Sequence, residues 1–271
     1  MSGAQRLTEA IRRAPGRAAL GTFVVGGFPT VELSCAAAAA SAAAGAAFVE
    51  VGLPSHDPTA DGPAIATAGR AALQRGATID GILGGVAMIA PVVPVVVMCY
   101  ASAVHARGPE RFAAALRAAG VCGLIVADLP VDAALDVQVA CARHGIGWIP
   151  VVAASTPASR LRAATAAGGG FVYVAQAGGV TGERGAMPES TAPTVARVRE
   201  LTELPVAVGF GVSTAEHVRA VAATGADGVI VGSRLVRAIL EHRDPVAAVA
   251  AVTRELVAGL APPTPAARAA P

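Results

Sequence analysis

The sequence predicts an α/β protein, a (β/α)8 TIM barrel with an extra N-terminal helix. Eight short apolar, β-branched runs alternate with alanine- and arginine-rich helical stretches. Successive runs are mostly about 25–30 residues apart, the length of one strand–helix unit. No G-x-G-x-x-G follows the first run, where a dinucleotide-binding doubly wound sheet would carry it.

The chain opens with "MSGAQRLTEAIRRAPG", a polar amphipathic helix without a signal-peptide h-region, so a cytoplasmic enzyme is the expectation. The first strand falls at 20–25 (LGTFVV) and a helix at 30–44. The run "CAAAAASAAAGAA" (35–47) lacks the basic anchors and Leu-rich core of a membrane span and reads as a small-residue packing helix. A second strand at 48–53 (FVEVGL) leads through the loop "PSHDPTADGP" to helices at 63–75 and near 79–90. Strands at 93–100, 123–127 and 147–152 then alternate with helices at 109–119, 134–144 and 156–167. The last strands, 171–175, 205–209 and 228–231, are separated by helices at 192–201 and 214–224. Asp132, Thr156 and Ser213 stand where N-caps belong. No linker divides the chain, so residues 1–262 read as a single barrel domain. The Pro/Ala-rich end, 263–271, reads as a disordered tail.

Composition narrows the chemistry. There is no lysine: all 21 basic residues are arginine. Schiff-base aldolases, pyridoxal-phosphate enzymes and P-loop NTPases each need a lysine amine and are excluded. A net charge of +2 with 3% aromatic residues and no basic block argues against a nucleic-acid groove. Cys35, Cys99, Cys122 and Cys141 lie singly in apolar surroundings, the pattern of buried free thiols rather than of disulfides or a zinc site.

Barrel active sites lie at the C-terminal ends of the strands, so charge there points to function. Glu50 interrupts the apolar run Val49–Val51, where strand patterning disfavours it. A structural salt bridge to a barrel arginine is the competing reading. A carboxyl in that setting has a raised pKa and suits proton donation near neutrality. Asp57 and Asp61 follow in the loop; Asp57 also fits an ordinary turn before Pro58, and Asp61 a cap for the next helix. Glycine clusters "GGVTG" (178–182), "GFGVS" (209–213) and "GS" (232–233) end three successive strands, and bare amides there suit a phosphate. His144, His217 and His242 read as helix-surface residues and His105 as part of a polar loop. His56 shares the loop with the aspartates, but no second ligand at metal spacing supports it.

Four stretches, "FVEVGLPSHDPTADGPAIATAGRAALQRG", "GLIVADLPVDAA", "GFVYVAQAGGVTGERG" and "PVAVGFGVSTAEHVRAVAATGADGVIVGSRLV", together resemble the tryptophan synthase alpha chain family from about Phe23 to Val236. The resemblance implies a lyase that cleaves indole-3-glycerol phosphate to indole and glyceraldehyde 3-phosphate by retro-aldol chemistry, without a cofactor. It places Glu50 at the catalytic glutamate and Asp61 at the aspartate that holds the indole N–H. Phe23, Tyr100, Tyr173 and Thr181 fall at substrate-contacting positions, and Gly182, Gly211, Gly232 and Ser233 at phosphate-binding ones. It also implies a beta-chain partner met through the regions of Asp57, Ser102 and Asp128.

Departures gather on that side of the molecule. Ser55-His56 stand where the family has Phe-Ser, Ala101-Ser102-Ala103 replace its Asn-containing segment, and Gln176-Ala177-Gly178 replace Ser-Arg before the loop. Such drift is what relaxed coupling to a beta chain, or a stand-alone lyase, would look like. Two other readings stay open: a catalytically weak paralogue acting as a binding or regulatory subunit, and a phosphate-binding barrel lyase or isomerase with a related substrate.

Overall fold

The computed structural model describes residues 1–175, 187–209 and 211–261. The chain begins with helix α1 (Gly3–Arg12), then β1 (Ala19–Val25), α2 (Val31–Ala43) and β2 (Phe48–Gly52). Helices α3 (Pro63–Gln74) and α4 (Ile79–Ile89) lead to β3 (Val95–Cys99), followed by α5 (Ala101–Arg107) and α6 (Pro109–Ala118). Next come β4 (Gly123–Val126), α7 (Leu135–Arg143), β5 (Gly147–Trp148), β6 (Val151–Val152) and α8 (Ala158–Ala167). The last part runs β7 (Val172–Ala175), α9 (Thr191–Arg199), β8 (Val206–Gly209), α10 (Ala215–Ala223), β9 (Gly228–Val231), α11 (Ser233–Glu241) and α12 (Pro245–Leu260).

All strand pairs are parallel, in the order β5-β4-β3-β2-β1-β9-β8-β7-β6. The two ends of that series are consecutive in sequence, so the sheet closes on itself. The strand expected at 147–152 is divided: its first half pairs with β4 and its second with β7. Pro150 has no N–H to give to either neighbour, and its carbonyl accepts from Tyr173 N at 2.9 Å while Ile149 N donates to Leu124 O at 2.9 Å. The break is therefore a hand-over between two neighbours of one barrel strand.

The interior is packed by pairing aromatic rings with glycines. A Cβ at Gly21 would collide with the Phe48 ring, one at Gly52 with Phe23, and one at Gly209 with the Tyr173 hydroxyl. Phe48 and Phe171, both fully buried, pack with ring centroids 5.4 Å apart and planes tilted by 43°. Helix α1 closes the N-terminal end. A reciprocal Ser2–Gln5 capping box starts it, and fully buried Leu7 reaches the space beside Gly123 and Gly170. Burying such a leucine contributes about 1.5–3 kcal/mol.

Several boundaries move from expectation. Helix α10 is capped by Thr214, whose hydroxyl accepts from His217 N, and not by Ser213. Asp132 lies in a short 3-10 turn and pairs with Arg160, while the Thr156 hydroxyl accepts from Ala153 N instead of capping α8. His105 sits on α5, not in a loop, and α11 and α12 complete the helical layer. The four cysteines are free thiols, three of them buried. Among the described residues no helix is long and apolar enough to cross a membrane.

Candidate active site

The strand register places the site. Phe23 of β1 is the direct partner of Glu50 of β2, and Glu50 that of Val96 of β3. Glu50 shares a strand face with Phe48 and Gly52, whose neighbours are the interior rings, so its carboxyl points into the barrel interior at the cavity wall. It is 1% exposed, and its Oε2 has no hydrogen-bond partner among the described residues. Burial first, and the charge of Asp61 second, push its pKa up to about 8. No arginine pairs with it among the described ion pairs, so the structural salt bridge is not the reason it is there.

Asp61 stands in the loop between β2 and α3. Its Oδ1 accepts from the Tyr100 hydroxyl at 3.0 Å, and that hydroxyl accepts in turn from Ala60 N at 3.1 Å. Burial raises the Asp61 pKa while the Tyr100 bond opposes the rise. Asp61 does not cap α3: Gly62 is the N-cap, without a side-chain cap bond, and Pro63 opens the helix. Asp57 is exposed in the loop's turn, where its carbonyl accepts from Thr59 N and its N–H donates to Ser55 Oγ. His56 lines a separate outer groove with Ser55, Pro58 and Arg70.

Glu50 and Asp61 open into one cavity, lined also by Phe23, Met98, Tyr173 and Ser233. Gly211 and Gly232 complete its far wall. Gly211 has φ +87°, a conformation that side-chain-bearing residues rarely adopt, and it holds the loop after β8 in a tight turn. Gly232 caps α11 with no side-chain bond, leaving the helix's first amides available to an anion. On the other side, a second compartment shares Phe23, Asp61, Ile65 and Met98 with the first. Leu53 and Tyr100 make it largely apolar. The cleft thus has three parts in line: an apolar slot, two carboxyl groups, and an amide-lined end.

Of the residues expected at the site, the structure gathers Phe23, Glu50, Asp61, Tyr100, Tyr173, Gly211, Gly232 and Ser233. Thr181 and Gly182 lie outside the described residues, as does the tail at 263–271. Sequence reasoning missed Ile65, Met98, Val212 and Ile230, all on the cavity wall. Met98 and Ile230 carried a signal, their places within β3 and β9; Ile65 and Val212 are apolar residues like many more in this chain. Burial drives the Cys99 thiol, at the apolar slot, far up from its ordinary pKa, which makes it no nucleophile. No group of three or more metal-ligating side chains occurs among the described residues.

Asp57, Ser102 and Asp128, which follow β2, β3 and β4, are all exposed at the same end of three adjacent strands. Asp128 Oδ1 accepts from Ala101 N at 2.7 Å, tying the loop after β4 to the start of α5.

A family model described as tryptophan synthase alpha chain matches residues 10–261. Among curated relatives, the alpha chain of Streptomyces avermitilis is 44% identical over 258 residues, covering 93% of each chain. That of Methanosarcina mazei is 40% identical over 238 residues, covering 88% of this chain and 87% of its own. A solved tryptophan synthase from Mycobacterium tuberculosis superposes with a TM-score of 0.88 at 38% identity, over 96% of this chain and 98% of the other. The tryptophan synthase complex from Pyrococcus furiosus gives 0.83 at 30% identity, over 90% and 99%.

Proposed function

The chain belongs to the tryptophan synthase alpha chain family, and from that premise we propose how its cleft performs the family's reaction. It is a carbon–carbon lyase of tryptophan biosynthesis that cleaves indole-3-glycerol phosphate to indole and glyceraldehyde 3-phosphate. The indole ring occupies the apolar slot between Phe23, Met98 and Tyr100. The phosphate binds at Gly211, Gly232 and Ser233; Thr181 and Gly182, which lie outside the described residues, are assigned to substrate and phosphate by the family resemblance alone. Tyr173 stands beside Glu50 on the cavity wall.

With its pKa near 8, Glu50 carries its proton at neutral pH and donates it to C3 of the indole. The ring becomes an indolenine whose nitrogen bears the positive charge, and the Asp61 carboxylate stabilises that charge through the N–H. Glu50, now ionised, takes the proton of the adjacent glycerol hydroxyl. The C–C bond electrons flow into the ring and restore indole, while the hydroxyl carbon leaves as the aldehyde. Glu50 ends the cycle protonated. The substrate supplies its own electron sink, so a chain without lysine suffices. The observation that carries this reading is the buried Glu50 carboxyl, its Oε2 without a partner among the described residues, opening into the same cavity as Asp61.

Single-turnover cleavage of indole-3-glycerol phosphate tests it. Glu50→Gln should reduce the chemical step by about 10²–10⁴-fold, and full activity in that variant would overturn the mechanism. Binding of the substrate by the unaltered chain without turnover would make it a binding or regulatory subunit instead. Turnover of a different phosphorylated compound would make it a related barrel lyase or isomerase. The exposed ends of β2, β3 and β4 at Asp57, Ser102 and Asp128 are the face assigned to a beta chain. The Pyrococcus relatives are known as such complexes, and the departures at Ser55-His56 and Ala101–Ala103 favour weakened coupling here. The proposed location is the cytoplasm.

A further inference from the structure

We infer that Arg234 is a positioning residue for the substrate's phosphate, acting through the loop after β8. The inference rests on the phosphate reading of Gly211, Gly232 and Ser233. Arg234 is the second residue of α11, directly after Ser233. One arm of its guanidinium donates to the Ser213 carbonyl at 3.0 Å, and the other pairs with Glu255 of α12 at 3.1 Å. A single side chain therefore joins both walls of the amide-lined end to a third helix.

Two features say why an arginine is there. A cation in the first turn of a helix opposes the helix dipole, so this is an unfavourable place for one unless an anion is near. Glu255 offsets part of that cost, and a bound phosphate dianion beside Ser233 offsets the rest. The ion pair itself is partly exposed, with side chains 31% and 49% accessible, and such pairs contribute little to stability. Its use is geometric. Glu255 and Gly259 lie one helical turn apart on α12. A Cβ at Gly259 would stand 2.8 Å from the Ala215 carbonyl oxygen, so α12 presses without clearance on the first residue of α10. Arg234 and this contact hold the segment from Gly211 to Ala215 from both sides, fixing where its amides point. Ser213 is 4% exposed within that grip, and its hydroxyl lies 3.4 Å from His217 Nδ1.

The phosphate is remote from the bond that breaks, so its loss of hold should appear as weaker uniform binding. The experiment compares the full chain with Arg234→Ala and Arg234→Lys. Calorimetry measures affinity for glycerol 3-phosphate and, separately, for indole; steady-state cleavage gives kcat and KM. The lysine variant keeps the charge but lacks the planar fork that spans Ser213 and Glu255. Both variants should bind glycerol 3-phosphate about tenfold more weakly and raise KM about as much, with kcat within about twofold and indole affinity unchanged. Unaltered glycerol 3-phosphate affinity in Arg234→Ala, full rescue by lysine, or a parallel fall in indole affinity would each overturn the inference. Absence of indole-3-glycerol phosphate cleavage by the unaltered chain would overturn the proposed function while the glycerol 3-phosphate comparison still decided the role of Arg234.

Discussion

At position 50 a carboxyl group occupies a place where a barrel strand ordinarily carries an apolar side chain. The cost is readable as pH dependence. Glu50 titrates near 4.5 when solvated and near 8 in the fold, so the folded state holds its proton more tightly. The associated stability is complete below about pH 4.5 and is lost as pH rises through 8, to a total of about 3–5 kcal/mol. Glu50→Gln should therefore melt higher than the unaltered protein at pH 8–9, with the gap closing toward pH 5, while its activity is lost. Equal melting curves at both pH values would contradict the assigned cause. Activity of the unaltered chain should fall as pH rises through about 8, because Glu50, the proposed proton donor, is then ionised. Tyr100 is the second residue of consequence, since its hydroxyl bonds both Asp61 and the Ala60 amide. Tyr100→Phe should lower kcat/KM about tenfold by releasing both groups, and an unchanged pH–rate profile with unchanged kcat/KM would show the bond to be idle.

Among the elements, the loop between β2 and α3 and the helix α1 do opposite work. The loop owes its shape to short local bonds, Asp57 N to Ser55 Oγ and Asp61 N to Pro58 O, and to the distant Tyr100 hydroxyl, which bonds both Asp61 Oδ1 and Ala60 N. Its aspartates were legible in the sequence as charged residues after a strand. Which one turns inward was not legible, because that depends on Tyr100, 39 residues away. Helix α1 serves the fold: Leu7 fills the barrel's closed end, and Gly3 N and Thr8 Oγ1 bond Gly145 O and Gly170 O. Leu7→Ala should destabilise the protein by about 2–5 kcal/mol with KM for indole-3-glycerol phosphate unchanged, measured by urea unfolding beside steady-state kinetics. A loss of substrate affinity without a loss of stability would mean that α1 reaches the site.

For the molecule as a whole, barrel closure sets adjacent strand ends side by side, and two faces result at the mouth. One is the cleft; the other is the exposed stretch of Asp57, Ser102 and Asp128. If coupling to a beta chain has weakened, adding one to the purified chain should change indole-3-glycerol phosphate cleavage by less than about tenfold, a barrier change under ~1.4 kcal/mol. A stimulation of several orders of magnitude would restore the tight allosteric partnership.

The sequence by itself determined the alternation of strands and helices, the absence of lysine chemistry, and the candidate pair Glu50 and Asp61. Each is a local or compositional property, set by side-chain periodicity or by which functional groups exist in the chain. Only the tertiary structure decided the rest: the hand-over at Pro150 that closes the barrel, the release of Asp61 from helix capping to face Tyr100, and the bridge from Arg234 to Ser213 and Glu255. These depend on groups distant in sequence meeting at bonding distance, and on a burial that strips Glu50 of water. Neither is encoded in any short window of residues, because strand register and the packing of neighbouring helices set both.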